Sequence, residues 1–156
     1  MKPTFLYYAL LSTCLIAAPT LAAEPAKSTA SPAVQKAAEE PQEKVVYHIN
    51  DSSNARIAMR NVENHINAAP DAKIVVVTHG KGIDFLLNDA KDDKGAFQSQ
   101  VAGLRDRGVD FRVCRNTLKG RNLTDEAVIM EAKVVPSGVA EIGKLQAKEG
   151  FVYLKP

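Results

Sequence analysis

From residue 44 onward, short aliphatic runs alternate with stretches in which apolar residues recur at helical spacing. Successive side chains of a strand point to opposite faces, whereas a helix brings positions three and four apart onto one face. The aliphatic runs predict five strands, at residues 44–49, 73–78, 108–114, 132–135 and 151–154. Helical spacing predicts helices over about 55–69, 97–107 and 139–149. Residues 116–122 are predicted to be a polar crossover, and Thr124 to begin a further helix.

Alternation of strands and helices with short connections predicts the fold class. It is typical of an α/β protein with a mainly parallel, doubly wound five-stranded sheet and helices on both faces. The run at 73–78 is almost entirely aliphatic and is expected at the centre of the sheet. Four large apolar side chains are also expected in the core, namely Met59, Phe85, Phe97 and Met130.

The first 43 residues differ in composition from the rest. Residues 1–23 have a lysine near the start, an apolar stretch and a small-residue cleavage site at Ala22 or Ala23, which indicates a secretory signal peptide. A membrane anchor and a lipoprotein signal at Cys14 are the less favoured alternatives. Residues 24–43 are rich in Ala, Pro, Glu, Lys and Ser and predict a flexible linker. The folded domain is therefore predicted to span 44–156, in a periplasmic or secreted bacterial protein.

The net charge and the number of cysteines exclude some classes of function. The net charge of +2 becomes +1 when Lys2 leaves with the signal peptide, which argues against nucleic-acid binding. Cys14 leaves as well, so the mature chain carries Cys114 alone and cannot form an internal disulfide. A single cysteine in an exported protein indicates a free reactive thiol or an intermolecular bond, and the alternative is a small buried apolar side chain.

Unusual residues follow several predicted strands. Because the carboxyl ends of parallel strands share one edge, we expect these residues to converge there. Cys114 is predicted to be an open, nucleophilic thiol at this edge, with its pKa lowered by Arg115 and by a helix start at Asn116 and Thr117. His48 and His79 are candidates for proton transfer or donor orientation, and the alternative is that their rings satisfy loop backbone groups. The candidate binding residues are Asn50, Gly80, Gly82, Asn116, Thr117, Ser137 and Gly138.

Each of these residues also has a structural interpretation. Gly80 and Gly82 suit a tight turn, and Ser137 suits a helix cap as well as a site where N–H groups meet an anion. Arg115 is equally suited to a solvated surface. The spacing of Cys114 and the histidines matches no known metal site, so we expect neither a metal nor a cofactor.

Three segments, in the same order, resemble the DsrE/DsrF-like family. They are VVVTHGKGIDFLL at 75–87, GVDFRVCRNTL at 108–118, and VVPSGVAEI at 134–142 with the end of the chain. The resemblance runs from about residue 44 to the C-terminus. It implies a flavodoxin-like α/β fold and small homo- or hetero-oligomers, often trimers or hexamers, and for this chain a homo-oligomer is expected.

In the better understood members of this family, a cysteine accepts sulfane sulfur as a persulfide and passes it on, and Cys114 occupies that position. The resemblance therefore implies a sulfurtransferase or sulfur carrier with a sulfur donor or acceptor protein as partner. The signal-like sequence at 1–23 predicts that this copy is exported, whereas the best understood sulfur relays of the family work in the cytoplasm. Two alternatives remain on the same fold: a non-enzymatic oligomeric binding module, and a thiol redox sensor.

Overall fold

A computed structural model describes residues 42–156 of the chain. The predicted signal peptide and almost all of the predicted linker lie outside the described residues. Glu43, at the predicted end of the linker, is held by the fold: its carbonyl accepts from the Lys73 N–H at 2.7 Å, and its carboxylate contacts His65 Nε2 at 2.9 Å. Within the described part of the chain, no helix has the length and apolar character needed to cross a membrane.

Strands and helices alternate along this part of the chain, as the hydrophobic pattern predicts. The elements are β1 (Lys44–Ile49), α1 (Ala55–Ala68), β2 (Lys73–Thr78), β3 (Lys91–Asp92), β4 (Gly95–Ala96), α2 (Gln98–Asp106), β5 (Asp110–Cys114), α3 (Arg115–Gly120), β6 (Ala132–Val135), α4 (Gly138–Glu149) and β7 (Val152–Leu154). Two longer connections contain 3-10 helices at Gly80–Leu86 and Asp125–Ala127.

The main sheet has five parallel strands in the order β6-β5-β2-β1-β7, which confirms the predicted fold class. The chain adds β2, β5 and β6 successively on one side of β1 and then returns to place β7 on the other side. Because crossovers between parallel strands are right-handed, reversing the direction moves the connecting helix to the opposite face. The return connection is α4, which packs across β5, β2, β1 and β7.

Side-chain alternation divides the core between the two faces. The larger cluster includes Val45, Tyr47 and Ile49 of β1 and the buried residues of α1 and α2. The smaller cluster lies under α4 and consists of Val46, Val75, Val77, Ile142, Leu145 and Phe151. Burial on both faces explains why residues 74–77 of β2 are all aliphatic, since a central parallel strand has no solvent-facing side.

Four local expectations need correction. The segment after Cys114 is helix α3, beginning at Arg115, and not a polar crossover. Thr124 precedes only a single 3-10 turn, because Val128 is already extended. Residues 91–96, for which the hydrophobic pattern predicts no strand, form a short antiparallel hairpin. Met130 is 86% exposed and not part of the core, whereas Met59, Phe85 and Phe97 are buried as predicted.

Gly82 controls how closely the chain after β2 approaches the end of β1. A Cβ atom at position 82 would lie 2.1 Å from the Ile49 carbonyl oxygen and 2.6 Å from its carbon, separations that packed atoms do not adopt. In contrast, Gly143 lies in α4 with open space where its side chain would be. The first glycine is required by packing and the second is not.

We therefore expect Gly82→Ala to lower the free energy of unfolding by at least about 2 kcal/mol, because the backbone of the β1 end must move. The control Gly143→Ala is expected to raise it by roughly 0.5–1 kcal/mol, since alanine is the better helix former. Urea unfolding followed by circular dichroism measures both. Equal stability of the two variants would contradict the packing role of Gly82.

Candidate functional site

The candidate residues converge where the parallel strands end. Strand register aligns Ile49 with Thr78, Thr78 with Val113, and Cys114 with Val135. Because side chains alternate, His48 and His79 follow Val46 and Val77 onto the face covered by α4. The chemistry predicted from sequence is therefore gathered at one edge and under one helix.

The N-terminus of α4 lies directly against Cys114. A side chain at Gly138 would place its Cβ 3.1 Å from the Thr78 carbonyl oxygen, 3.2 Å from the Cys114 Cβ and 3.4 Å from the His79 Cβ. Only a residue without a side chain allows this approach without displacing its neighbours. Gly138 thus brings the ends of β2, β5 and β6 to a single point.

The Cys114 side chain is only 5% exposed, which corrects the expectation of an open thiol. The reason is that α3 begins at the next residue and α4 closes over the same edge. Polar groups of Asn116, Thr117 and Gly138, in the first turns of both helices, nevertheless act on the sulfur. Cys114 belongs to neither of the two apolar core clusters of the described residues.

Hydrogen bonding to the sulfur outweighs the effect of burial. Burial alone would raise the pKa of the Cys114 thiol, but the N–H of Gly138, the hydroxyl and N–H of Thr117, and the N–H of Asn116 favour the thiolate and lower the pKa overall. The pKa of the Cys114 thiol is therefore lowered, as the sequence predicts. The thiolate is stabilised by the first turns of α3 and α4 together, which explains why Asn116, Thr117 and Gly138 belong to the site.

The Thr117 hydroxyl connects the cysteine to the chain that follows β2. It accepts a hydrogen bond from the Gly80 N–H at 3.1 Å, so its own proton remains available for the Cys114 sulfur. Gly80 has a φ of +59°, a left-handed conformation that favours glycine. This backbone conformation sets the direction of the N–H that orients Thr117.

Arg115 does not stabilise the thiolate as predicted. Its guanidinium pairs with Asp125, with Nε 3.1 Å from one carboxylate oxygen and a second, shorter contact from Nη2. Arg112, two residues before Cys114, pairs with Asp110 and Glu141. Both arginines are thus neutralised by carboxylates that sequence reasoning did not assign to them, and the groups that favour the Cys114 thiolate are backbone N–H groups and the Thr117 hydroxyl.

His48 and His79 form a direct pair. Their Nε2 atoms are 2.7 Å apart, and His48 Nδ1 is 2.7 Å from the hydroxyl of Tyr153 on β7. Burial, then the charges of His79 and Lys155, lower the pKa of His48. Two imidazolium rings would place two protons between the Nε2 atoms, so the contact holds only while at least one ring is neutral.

Tyr153 is the member of this cluster that sequence reasoning missed. It is a partly exposed residue on a short terminal strand, and its neighbour is β1, which is distant in sequence. Tyr153 lies between apolar neighbours in the sequence, and this pattern does not indicate a hydrogen bond to His48. Only the position of β7 beside β1 brings the two side chains together.

The other predicted residues have mainly structural positions. Gly82 and Gly80 lie against the backbone of Ile49 and Asn50, so Asn50 contributes main-chain packing at this edge. Ser137 caps α4, with its Oγ accepting from the Ala140 N–H at 3.4 Å. Within residues 42–156, no cluster of three or more His, Cys, Asp or Glu side chains has the arrangement of a metal site.

An open cavity of about 700 Å³ lies beside the cysteine segment. It shares Thr117 and Gly80 with the hydrogen bonds at Cys114, and its remaining lining residues are Lys81, Asp84, Gly120 and Arg121. Arg121 pairs with Asp84 in its wall. The cavity gives the Thr117 side of the site an aqueous approach with a lysine at its border.

Comparisons with known proteins agree with this architecture. A family model described as the DsrE/DsrF-like family matches residues 43–156. A solved structure of a protein of unknown function, MTH1491 from Methanobacterium thermoautotrophicum, is 29% identical with a TM-score of 0.67 and covers 74% of this chain and 100% of its own. The ychN protein from E. coli has the same coverages, a TM-score of 0.63 and 14% identity, a likeness of fold alone. No curated protein matches the chain.

The pH dependence of Cys114 alkylation should distinguish the Thr117 hydroxyl from arginine as a group that stabilises the thiolate. We expect Thr117→Val to move the pH-rate profile for iodoacetamide to higher pH, because loss of the hydroxyl donor raises the thiol pKa. Hydrogen bonds to charged groups are worth about 1.5–3 kcal/mol, so the reaction at neutral pH should slow by about tenfold or more. The control variant, Arg115→Gln, should leave the pH-rate profile of Cys114 unchanged, because Arg115 pairs with Asp125. A larger shift in the control would contradict this assignment.

Proposed function

Because this chain belongs to the DsrE/DsrF-like family, we propose that it is a sulfur-handling protein in which Cys114 accepts sulfane sulfur as a persulfide and passes it on. Membership supports a sulfur-relay-type role at the level of the family. The observation that supports the finer proposal is the close approach of the α4 N-terminus to Cys114, with Gly138 against the Cys114 Cβ, together with the lowered pKa of the thiol. Such donors favour an anionic sulfur, which is the nucleophilic form.

Acceptance of sulfur begins from the thiolate. With thiosulfate as donor, the Cys114 sulfur attacks the outer sulfur atom, an S–S bond to Cys114 forms, the donor S–S bond breaks and sulfite leaves with the electron pair. The product is a persulfide anion, and no external oxidant or reductant is consumed. When the thiol starts protonated, its proton passes to solvent or to the His48–His79 pair, which accommodates one additional proton.

In the transfer of sulfur to an acceptor, the Cys114 sulfur is the leaving group and no longer the nucleophile. A thiolate of the acceptor attacks the outer sulfur of the persulfide, the Cys114 S–S bond breaks, and Cys114 leaves as a thiolate. The N–H groups of Asn116, Thr117 and Gly138 favour this leaving group for the same reason that they lower its pKa. One set of backbone donors therefore serves acceptance and release, and the reaction requires no cofactor.

The burial of Cys114 favours a second candidate, a non-enzymatic oligomeric binding module in which the cysteine only packs. A side chain that is 5% exposed must become more accessible for a donor to reach it. The cavity bordered by Thr117 and Lys81 supports the carrier instead, since it is an open space that reaches Thr117 and has a cation at its border that would attract an anionic donor. The two candidates differ in whether native Cys114 reacts.

We also propose export, a homo-oligomeric state and a protein that donates or accepts sulfur. Export rests on the signal-like sequence at 1–23. Oligomerisation as a trimer or hexamer is supported by the resemblance and by exposed apolar side chains at the edge strand β7, Val152 and Leu154. The proposal of a protein partner is supported by the chemistry, because a persulfide must pass its outer sulfur to another nucleophile, such as a protein thiolate.

Persulfide formation is tested by intact mass. After incubation of the mature native protein with thiosulfate or polysulfide, we expect a gain of one sulfur atom that dithiothreitol removes. The same treatment should leave Cys114→Ser unchanged. Absence of the adduct, together with alkylation of Cys114 only in urea, would establish the packing role. Reaction with peroxide but not with sulfane donors would instead establish a redox sensor.

Export is tested by fractionation of bacteria that express the full chain. We expect the protein in the periplasm or medium, cleaved after Ala22 or Ala23, as read from its intact mass. Leu15→Arg should keep the precursor in the cytoplasm because a charge interrupts the apolar stretch, whereas the control Ser28→Arg should not. An uncleaved cytoplasmic wild type would rule out export, and loss of processing in Cys14→Ser would indicate a lipoprotein.

A further inference from the structure

We propose that Tyr153 is a positioning residue that holds His79 in the Nδ1–H tautomer, so that His79 offers an N–H donor to anionic sulfur at Cys114. This inference rests on the proposed function for its purpose, but the arrangement of the protons can be measured independently. It concerns a hydrogen-bonded chain of three side chains: Tyr153 Oη to His48 Nδ1 and His48 Nε2 to His79 Nε2, each at 2.7 Å.

Neutral histidine carries one ring proton, so the two histidines can share their contact in only two ways. In the first, His48 donates from Nε2 and His79 carries its proton on Nδ1. In the second, His79 donates from Nε2 and His48 carries its proton on Nδ1. Each arrangement places one ring in the Nε2–H form and the other in the Nδ1–H form, so the pair by itself has little preference between them.

Tyr153 removes this near-equivalence. The phenol O–H is a stronger donor than a neutral imidazole N–H, and an imidazole nitrogen is a stronger acceptor than a phenol oxygen. Tyr153 therefore donates to His48 Nδ1, which makes His48 donate from Nε2 and leaves the His79 proton on Nδ1. A neutral hydrogen bond is worth enough to favour this arrangement by about two- to tenfold.

The Nδ1 atom of His79 carries this proton and can donate it in a further hydrogen bond. No hydrogen bond from a residue within 42–156 engages His79 Nδ1, and this nitrogen lies on the Cβ side of the ring. The Cβ atoms of His79 and Cys114 both lie within 3.4 Å of the point where a Gly138 side chain would be. Both side chains therefore start at the same point of the edge, and in our proposal His79 Nδ1–H is oriented toward the Cys114 sulfur.

The other charged groups of this edge fit the assignment. Lys155, two residues beyond Tyr153, disfavours a charge on His48 and helps keep the pair neutral. Lys81 lies at the border of the adjoining cavity, and Asp84 is paired with Arg121. No carboxylate is seen among the contacts of either ring in the described part of the chain, so hydrogen bonding between neutral groups decides the tautomer.

Nitrogen NMR at pH 8 tests the tautomer. Long-range proton–nitrogen correlations of the imidazole rings report which nitrogen carries hydrogen. We expect His79 predominantly as Nδ1–H in the wild type and a more even mixture, shifted by about two- to tenfold, in Tyr153→Phe. The matched control is Tyr47→Phe, which removes a similar 2.9 Å contact from Tyr47 to His65 Nδ1 on the other face of the sheet. It should leave His79 unchanged.

A second measurement tests donation to the sulfur. As Cys114 ionises, the His79 Nδ1 signal should move in the wild type and stay constant in Cys114→Ser. An Nε2–H tautomer at His79, an unchanged mixture in Tyr153→Phe, or an Nδ1 signal indifferent to Cys114 would each overturn the inference. Tyr153 is partly exposed, so Tyr153→Phe removes the hydroxyl without disturbing the core.

The rate of persulfide formation tests whether the tautomer of His79 affects the acceptance of sulfur by Cys114. The rate of persulfide formation should fall by about two- to tenfold in Tyr153→Phe and stay at the wild-type value in Tyr47→Phe. Equal rates in the two variants would overturn the role of Tyr153. A wild type that forms no persulfide contradicts the proposed function alone, because the two NMR measurements still decide the tautomer and its response to Cys114.

Discussion

The close approach of the α4 N-terminus to Cys114 is the constraint on which the candidate site depends. Gly138 fits among the Thr78 carbonyl, the Cys114 Cβ and the His79 Cβ at distances that leave no room for a side chain. At this point the N–H groups of Gly138, Asn116 and Thr117, with the Thr117 hydroxyl, favour the thiolate and lower the pKa of Cys114. Helix N-termini carry unsatisfied donors, which favour an anionic sulfur.

The path of the chain makes this meeting possible. After three strands added in one direction, the return to β7 carries α4 back across the sheet, on the face opposite α1 and α2. The start of α4 is therefore next to the ends of β5 and β2, while its far end covers Phe151. Burial of the apolar side of α4 holds the helix in place on the sheet. Its first residue, Gly138, therefore lies beside Cys114.

Surface cations have a different role from the one that their sequence positions indicate. Arg112 and Arg115 flank Cys114, but each is held by carboxylates from other elements, Glu141 and Asp125. Stabilising a thiolate with backbone N–H groups has a physical advantage over a nearby guanidinium. The donors are fixed by secondary structure, so little conformational freedom is lost when charge develops on the sulfur.

The sequence by itself determined the alternation of strands and helices, because burial on one or both faces requires a definite spacing of apolar residues. It also determined that Cys114, His48, His79 and Ser137-Gly138 follow strands and meet at one edge. Only the tertiary structure decided which groups touch. The burial of Cys114 depends on α3 starting at Arg115, the partners of the arginines lie 10 and 29 residues away, and the Tyr153 contact spans 105 residues. Such contacts depend on strand order and helix placement, which local spacing does not encode.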